Sequence, residues 1–157
     1  MEKCYRFYGW QSADVPPCRP DLAEVSSPRE LYDLLFGLWC RETCAPRMRA
    51  EWSPQNPTRG QCSITAFLVQ DIFGGVVRGI PLPDGNYHCY NEVCGKAFDL
   101  TSEQFADGKL DYSPKDPIQL RQFHFGKEEK RRRYELLKEK LEALLRAGAS
   151  AEGGNRP

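Results

Sequence analysis

The stretch Gly60-Gln61-Cys62-Ser63-Ile64-Thr65-Ala66-Phe67-Leu68-Val69-Gln70-Asp71-Ile72-Phe73-Gly74-Gly75 decides the reading of this chain. Ile64, Phe67, Leu68 and Ile72 recur at helical spacing, and Gly74-Gly75 ends the pattern. Cys62, Ala66, Val69 and Phe73 lie alongside that face. A helix apolar on so much of its circumference belongs inside the protein, so a central buried helix opening near Gln61-Cys62 is predicted.

Strand signals follow it. Val76-Val77-Arg78-Gly79-Ile80 reads as a first strand, Pro83-Asp84-Gly85-Asn86 as a turn, and Tyr87 to Val93 as a second strand. A tight turn at Cys94-Gly95 leads into Lys96-Ala97-Phe98-Asp99-Leu100. If that turn is a two-residue loop, Val93 faces Lys96, Tyr90 faces Asp99 and His88 faces Thr101. His88 and Asp99 then become diagonal neighbours on one sheet face, with Cα atoms about 7–8 Å apart. A slip of one residue would put them on opposite faces.

Outside this core, Ser27 is read as an N-cap with Pro28 at the first helical position and Glu30 three residues after the cap. Leu31, Leu34, Leu35, Leu38 and Trp39 follow at helical spacing. Residues 1–28 are irregular, broken by Pro16-Pro17, Pro20 and Pro28, with Tyr5, Phe7, Tyr8 and Trp10 available to pack. Residues 45–60 form a long loop. Thr101 is an expected N-cap for a short helix at Glu103-Gln104-Phe105. Leu120 to Phe125 is expected to be a further strand. From Lys127 to about Ala147, Tyr134, Leu137, Leu141, Leu144 and Leu145 stripe a charged helix, which docks on its own core by default and has a dimer seam as its alternative. The expected organisation is a single α+β domain over 1–147, with a central helix on a small antiparallel sheet and helices at both ends. Residues 148–157 are expected to be a disordered tail.

The 157 residues carry 22 basic and 22 acidic side chains, so no electrostatic footprint for nucleic acid is present. No apolar run approaches the roughly 20 residues needed to cross a bilayer. The opening Met1-Glu2-Lys3-Cys4-Tyr5-Arg6 has no apolar signal core. Seven cysteines at irregular spacing argue against a disulfide framework. A cytoplasmic protein without nucleic-acid or membrane partners is the expectation. Cys40, Cys44, Cys89 and Cys94 bear on a zinc-stabilised alternative, but neither pair has CxxC spacing. The run Lys130-Arg131-Arg132-Arg133 lies among glutamates and reads as a solvated face with i,i+4 pairs.

Chemistry concentrates on Cys62. At a helix start, unpaired N–H groups and the positive end of the dipole favour a thiolate, the form that attacks, and the same groups can hold an oxyanion. Gly60 would let a substrate approach the backbone. Free cysteines are also commonly buried and inert, which is the competing reading. His88 is the expected base. Asp99 would bind one imidazole nitrogen and direct the other toward Cys62. Asn91 is the second-ranked partner because regular pleating points it away from His88.

The order Gly60-Gln61-Cys62, Ala66, Leu68, then Arg78-Gly79-Ile80-Pro81, then His88 and Tyr90, then Asp99-Leu100-Thr101 resembles the transglutaminase-like branch of the papain-like cysteine fold, over about 45 residues. The longer pattern Trp52-Ser53-Pro54, Asn56-Pro57, Gly60-Gln61-Cys62, Phe73-Gly74-Gly75, His88, Tyr90-Asn91, Asp99-Leu100-Thr101 and Gln104-Phe105 resembles small YunG-like bacterial proteins over most of the chain, and supplies no substrate. The first resemblance implies Cys62 as nucleophile, His88 as base and Asp99 as its orienter. It leaves Gln61, Asn56 and Trp52 as oxyanion candidates, with Tyr90 and Asn91 as further substrate-binding candidates. Trp52, Tyr87, Tyr90 and Phe105 are expected near the cleft. The expected function is cysteine-dependent acyl transfer on a small-molecule or peptide amide, isopeptide or thioester, without a cofactor. The alternative is a non-catalytic binding module that keeps the fold.

Overall fold

Ser27 accepts a hydrogen bond from the Glu30 amide at 3.2 Å and so caps α1 (Pro28–Phe36), with Pro28 at its first position. Glu30 reaches back to Ser26, one residue ahead of the cap. Leu31, Tyr32 and Leu35 form the buried face, against which Phe7 and Tyr5 pack from the N-terminal segment. The structure, a computed structural model, describes residues 4–19, 24–105 and 110–154, with 149–154 described by backbone. Met1–Lys3 and Pro20 therefore lie outside the described residues.

The predicted central helix is α2 (Cys62–Phe73), buried on nearly every side. It packs on a three-stranded antiparallel sheet of β1 (Val76–Pro81), β2 (Tyr87–Val93) and β3 (Lys96–Phe98), in that order. Val93 pairs with Lys96 and Asn91 with Phe98, so the register is the one expected from a two-residue loop. Cys94 and Gly95 both have positive φ, 52° and 75°, which matches the right-handed twist of the strands. Gly79 pairs with Cys89 and Ile80 with His88 across β1 and β2.

Both sheet edges are covered. Beyond β3, the Asp99 amide donates to the Tyr8 carbonyl at 2.9 Å. At β1, the Gly79 amide donates to Pro117 O and the Gln119 amide to Val77 O. This edge contact corrects the strand expected at 120–125. Pairing occurs at 117–119, and Arg121–Phe125 forms a short helix, α3. Leu120, Phe123 and Phe125 fit a strand by composition, but Leu120 and Phe123 face solvent. Arg121 instead lies over the rings of Phe67, Phe125 and Tyr134 and pairs with Asp71 at 2.6 Å.

The last helix, α4 (Glu128–Gly154), docks its stripe on the molecule's own core. Tyr134, Leu137 and Leu141 are buried, while Leu144 is 40% exposed. Burying Leu137 and Leu141 stabilises the docking by about 2 kcal/mol each. The helix runs through Gly154, past the expected end near Ala147 and into the expected tail; residues 155–157 lie outside those described. No helix among the described residues is long and apolar enough to cross a membrane.

Candidate active site

Cys62 is the first residue of α2, and Gln61 before it offers no side-chain cap. The first amides of a helix have no intrahelical partner, so they point at whatever occupies this end. The Gln61 side chain is turned away into the interior, donating to Cys40 O at 3.0 Å. Gly60 has φ +72°, and a Cβ there would come within 2.5 Å of Cys44 Sγ. The glycine is thus required by the approach of the Cys44 side chain and the Ala45 amide, as well as lying in the cavity wall.

Across from the helix start, β2 presents His88 with 1% of its side chain exposed. Its Nε2 lies 2.6 Å from Asp99 Oδ2. The same oxygen accepts from Tyr112 Oη at 2.6 Å. The other carboxylate oxygen accepts from the Thr101 amide at 3.0 Å and Thr101 Oγ1 at 3.2 Å. Thr101 was expected to cap a helix; it instead locks Asp99, and the turn Ser102–Gln104 has no side-chain cap. With Nε2 held by Asp99, Nδ1 is the ring nitrogen turned away from the carboxylate, and Gln104 Nε2 is its nearest recorded polar neighbour.

The electrostatics follow from these contacts. The Cys62 thiol is held well below its usual range, first by a hydrogen bond from the Cys89 thiol and then, against the opposing effect of burial, by the hydrogen bond and charge of His88. Cys89, wholly buried on β2, is pushed up as the donor of that pair. Burial works against the imidazolium of His88, but the Asp99 charge and hydrogen bond, with Cys62, outweigh it and push His88 up to about 10. The two shifts run in opposite directions, the thiol down and the imidazole up, which favours charge separation between Cys62 and His88.

Cys62 and His88 open into a cavity of about 340 Å³. Gly60, Gln104, Tyr87 and Phe105 stand at the same end. Phe105 meets the His88 ring edge-on at 5.0 Å. Gln104 accepts from the Gly60 amide at 3.3 Å, and its Nε2 lies 3.5 Å from His88 Nδ1. His124, Lys127 and Lys130 also line the cavity.

Of the expected cleft residues, Tyr87 and Phe105 line this cavity, whereas Trp52 and Tyr90 do not. None of the substrate-binding candidates Gln61, Asn56, Trp52, Tyr90 and Asn91 is in its lining. Each is committed elsewhere. Asn56 donates to Gln104 O, Trp52 to Pro57 O, Tyr90 to Asp116 and Asn91 to Ala66 O, the last pinning β2 to α2. Asn91 therefore does not orient His88. The charged run also differs from a wholly solvated face. Arg131 and Arg132 make i,i+4 pairs, but Arg133 is buried and donates to Thr43 O, and Lys130 enters the cavity. No cluster of three or more potential metal ligands exists among the described residues.

Four site residues escaped the sequence reading. Tyr112 lies in a Pro- and Asp-rich loop with no motif of its own. Gln104 belongs to the longer pattern of family resemblance but carried no role there, His124 gave no distinguishing pattern, and Cys89 was weighed only as a zinc ligand although it adjoins His88.

The family model described as YunG protein matches residues 27–146, a span that contains Cys62, His88, Asp99, Tyr112 and Lys130. A similar relative, "Uncharacterized protein YunG" of Bacillus subtilis (strain 168), is 41% identical over 56 residues. That match takes in 36% of this chain and spans about half the relative's length, 48%. No solved structure matches. With its model covering most of the sequence and the whole cavity end around Cys62, the chain belongs to the YunG protein family.

Proposed function

We propose that this protein is a cysteine-dependent acyl-transfer enzyme, built on a core like that of the transglutaminase-like branch of papain-like enzymes. The observation that carries the reading is the His88 Nε2–Asp99 Oδ2 contact of 2.6 Å behind a Cys62 that shares its cavity. An acid–base histidine needs a defined tautomer and orientation, and a buried carboxylate on the far nitrogen provides both.

In this reading Cys62 Sγ attacks a carbonyl carbon. The C=O electron pair moves to oxygen, and the oxyanion is met by the free amides at the start of α2. His88 gives its Nδ1 proton to the departing amine or thiol as the bond to the leaving group breaks. Water or an amine then loses a proton to His88 and displaces Sγ from the acyl-enzyme. Hydrolysis, deamidation and amide transfer differ in the resolving nucleophile and in the group that leaves.

The test is mass spectrometry of intact protein after exposure to a panel of peptide thioesters and activated amides. An acyl mass on Cys62 that disappears in His88→Ala is expected. An absence of adduct across the panel, or an adduct indifferent to His88, contradicts the reading and favours a binding module.

A further inference from the structure

Four cations and one carboxylate line the cavity beside Cys62: Arg47, Lys127, Lys130 and Arg133, with Glu129. Two of the cations are already neutralised. Arg47 pairs with Asp84 at 3.1 Å, and Arg133 with Glu129 at 2.7 Å. Lys127 and Lys130 have no carboxylate within 4.0 Å among the described residues. Lys130 is half-buried, and its Nζ lies 2.9 Å from His124 Nδ1.

The partner of Lys130 is neutral. His124 is 4% exposed and its Nε2 lies 2.9 Å from Gln119 Oε1. That amide oxygen can only accept, so Nε2 carries the hydrogen and Nδ1 is the acceptor for Lys130. Burial, joined by the Lys130 charge, lowers His124 to about 4, which keeps the ring uncharged. The ammonium is therefore fixed in place without a counter-charge from its hydrogen-bond partner, in a site where water is partly excluded. The Cys62 thiolate offsets some of this charge in the resting state. Once Sγ is acylated, that offset is gone.

We propose that the acyl substrate carries a carboxylate, and that Lys130, held by His124 and supported by Lys127, is the residue that selects for it. The inference deepens the acyl-transfer reading and rests on it. It identifies the substrate class as acidic amides or thioesters whose carboxylate reaches the α4 wall while the carbonyl lies at Cys62. Gln119 and His124 act as positioning residues for the ammonium.

The experiment compares iodoacetate with iodoacetamide as alkylators of Cys62, read site by site by mass spectrometry. Both reagents form the same S–C bond and expel iodide; they differ in a carboxylate against an amide. The ratio of the two rates cancels changes in thiolate reactivity. Lys130→Gln should lower the iodoacetate-to-iodoacetamide ratio by about tenfold at low salt, and Lys130→Arg should retain it. Raising the salt should lower the wild-type ratio toward that of Lys130→Gln. If Cys62 reacts but the ratio is the same in wild type and Lys130→Gln, Lys130 serves only the thiolate and the proposal is overturned. If Cys62 is inert to both reagents in the wild type, the acyl-transfer reading fails, and this inference fails with it.

Discussion

Asp99 holds His88 through Oδ2 at 2.6 Å, and every lone-pair direction around that contact is already engaged. Tyr112 donates to the same oxygen, and Thr101 donates twice to the other. The carboxylate cannot rotate without losing several bonds at once, so the imidazole it holds is fixed as well. Tyr112→Phe removes one donor while keeping the ring stacked on Tyr8 at 3.7 Å. The loss of a hydrogen bond to a charged group should cost about 2 kcal/mol, read as a lower urea midpoint. The alkylation rate of Cys62 at neutral pH should fall with it. A midpoint shift with no change in rate would make Tyr112 a structural residue only.

A hydrogen bond from the Cys89 thiol is the first of the causes that lower the Cys62 thiol. Cys89→Ala removes that donor and leaves a small void beneath the thiol. The pKa of Cys62 should rise, moving the pH–alkylation curve to higher pH while His88 remains in place. An unmoved curve would assign the low pKa to His88 and the helix end alone.

Gly60 and Gly85 separate two costs of a side chain. Both have positive φ, +72° and +86°, but a Cβ at Gly85 meets nothing within 4 Å. Gly85→Ala should lose only the backbone preference, about 1 kcal/mol. Gly60→Ala must also displace Cys44 Sγ and should lose about 2–4 kcal/mol. Urea denaturation of the two variants checks the order, and equal losses would contradict the packing described around Cys44.

Stability should be greatest between about pH 6.5 and 8.5, the unfolded values of histidine and cysteine. In that window the folded Cys62–His88 pair and its unfolded counterpart both hold one proton. Below it, unfolded histidines take up protons that folded His124, lowered to about 4, refuses. Stability from His124 is then lost as pH falls from 6.5 toward 4, on the order of 3 kcal/mol. The depressed thiol of Cys62 acts in the same direction. Above the window, unfolded cysteines release protons while His88, raised to about 10, and Cys89 keep theirs, so stability falls again. Urea midpoints across pH 4–10 report the dome, and a curve still rising above pH 9 would contradict the raised His88.

The parts of the molecule readable from sequence are those governed by local rules. Ser27-Pro28 with Glu30 is a cap by chemistry alone, and the apolar girth of residues 62–73 leaves no choice but burial. Cys94-Gly95 sets the hairpin register, and register sets which side chains share a face, so the nearness of His88 to Asp99 is legible in the sequence. What was missed depends on long-range closure. Residues 120–125 have a composition that suits a strand, but the β1 edge takes its hydrogen bonds from 117–119, and Arg121 finds a better site over three aromatic rings. Tyr112 and Lys130 reach the site from a loop and a helix far along the chain; no local pattern marks Tyr112, and the charge run around Lys130 reads as a solvated face. The polar residues next to Cys62 and His88 looked functional by proximity, yet Gln61 and Asn91 face the interior, where they join segments together.

The central claim is that Cys62 and His88 form a reactive ion pair. The direct measurement is the pH dependence of iodoacetamide alkylation at each cysteine, in wild type and in His88→Ala, with folding checked by circular dichroism. Cys62 should react well below the ordinary thiol pKa of about 8.5, faster than the other six cysteines, and His88→Ala should move its curve upward toward that value. If Cys62 titrates with the other cysteines, or keeps its low-pH reactivity without His88, the pair does not exist and the catalytic reading falls.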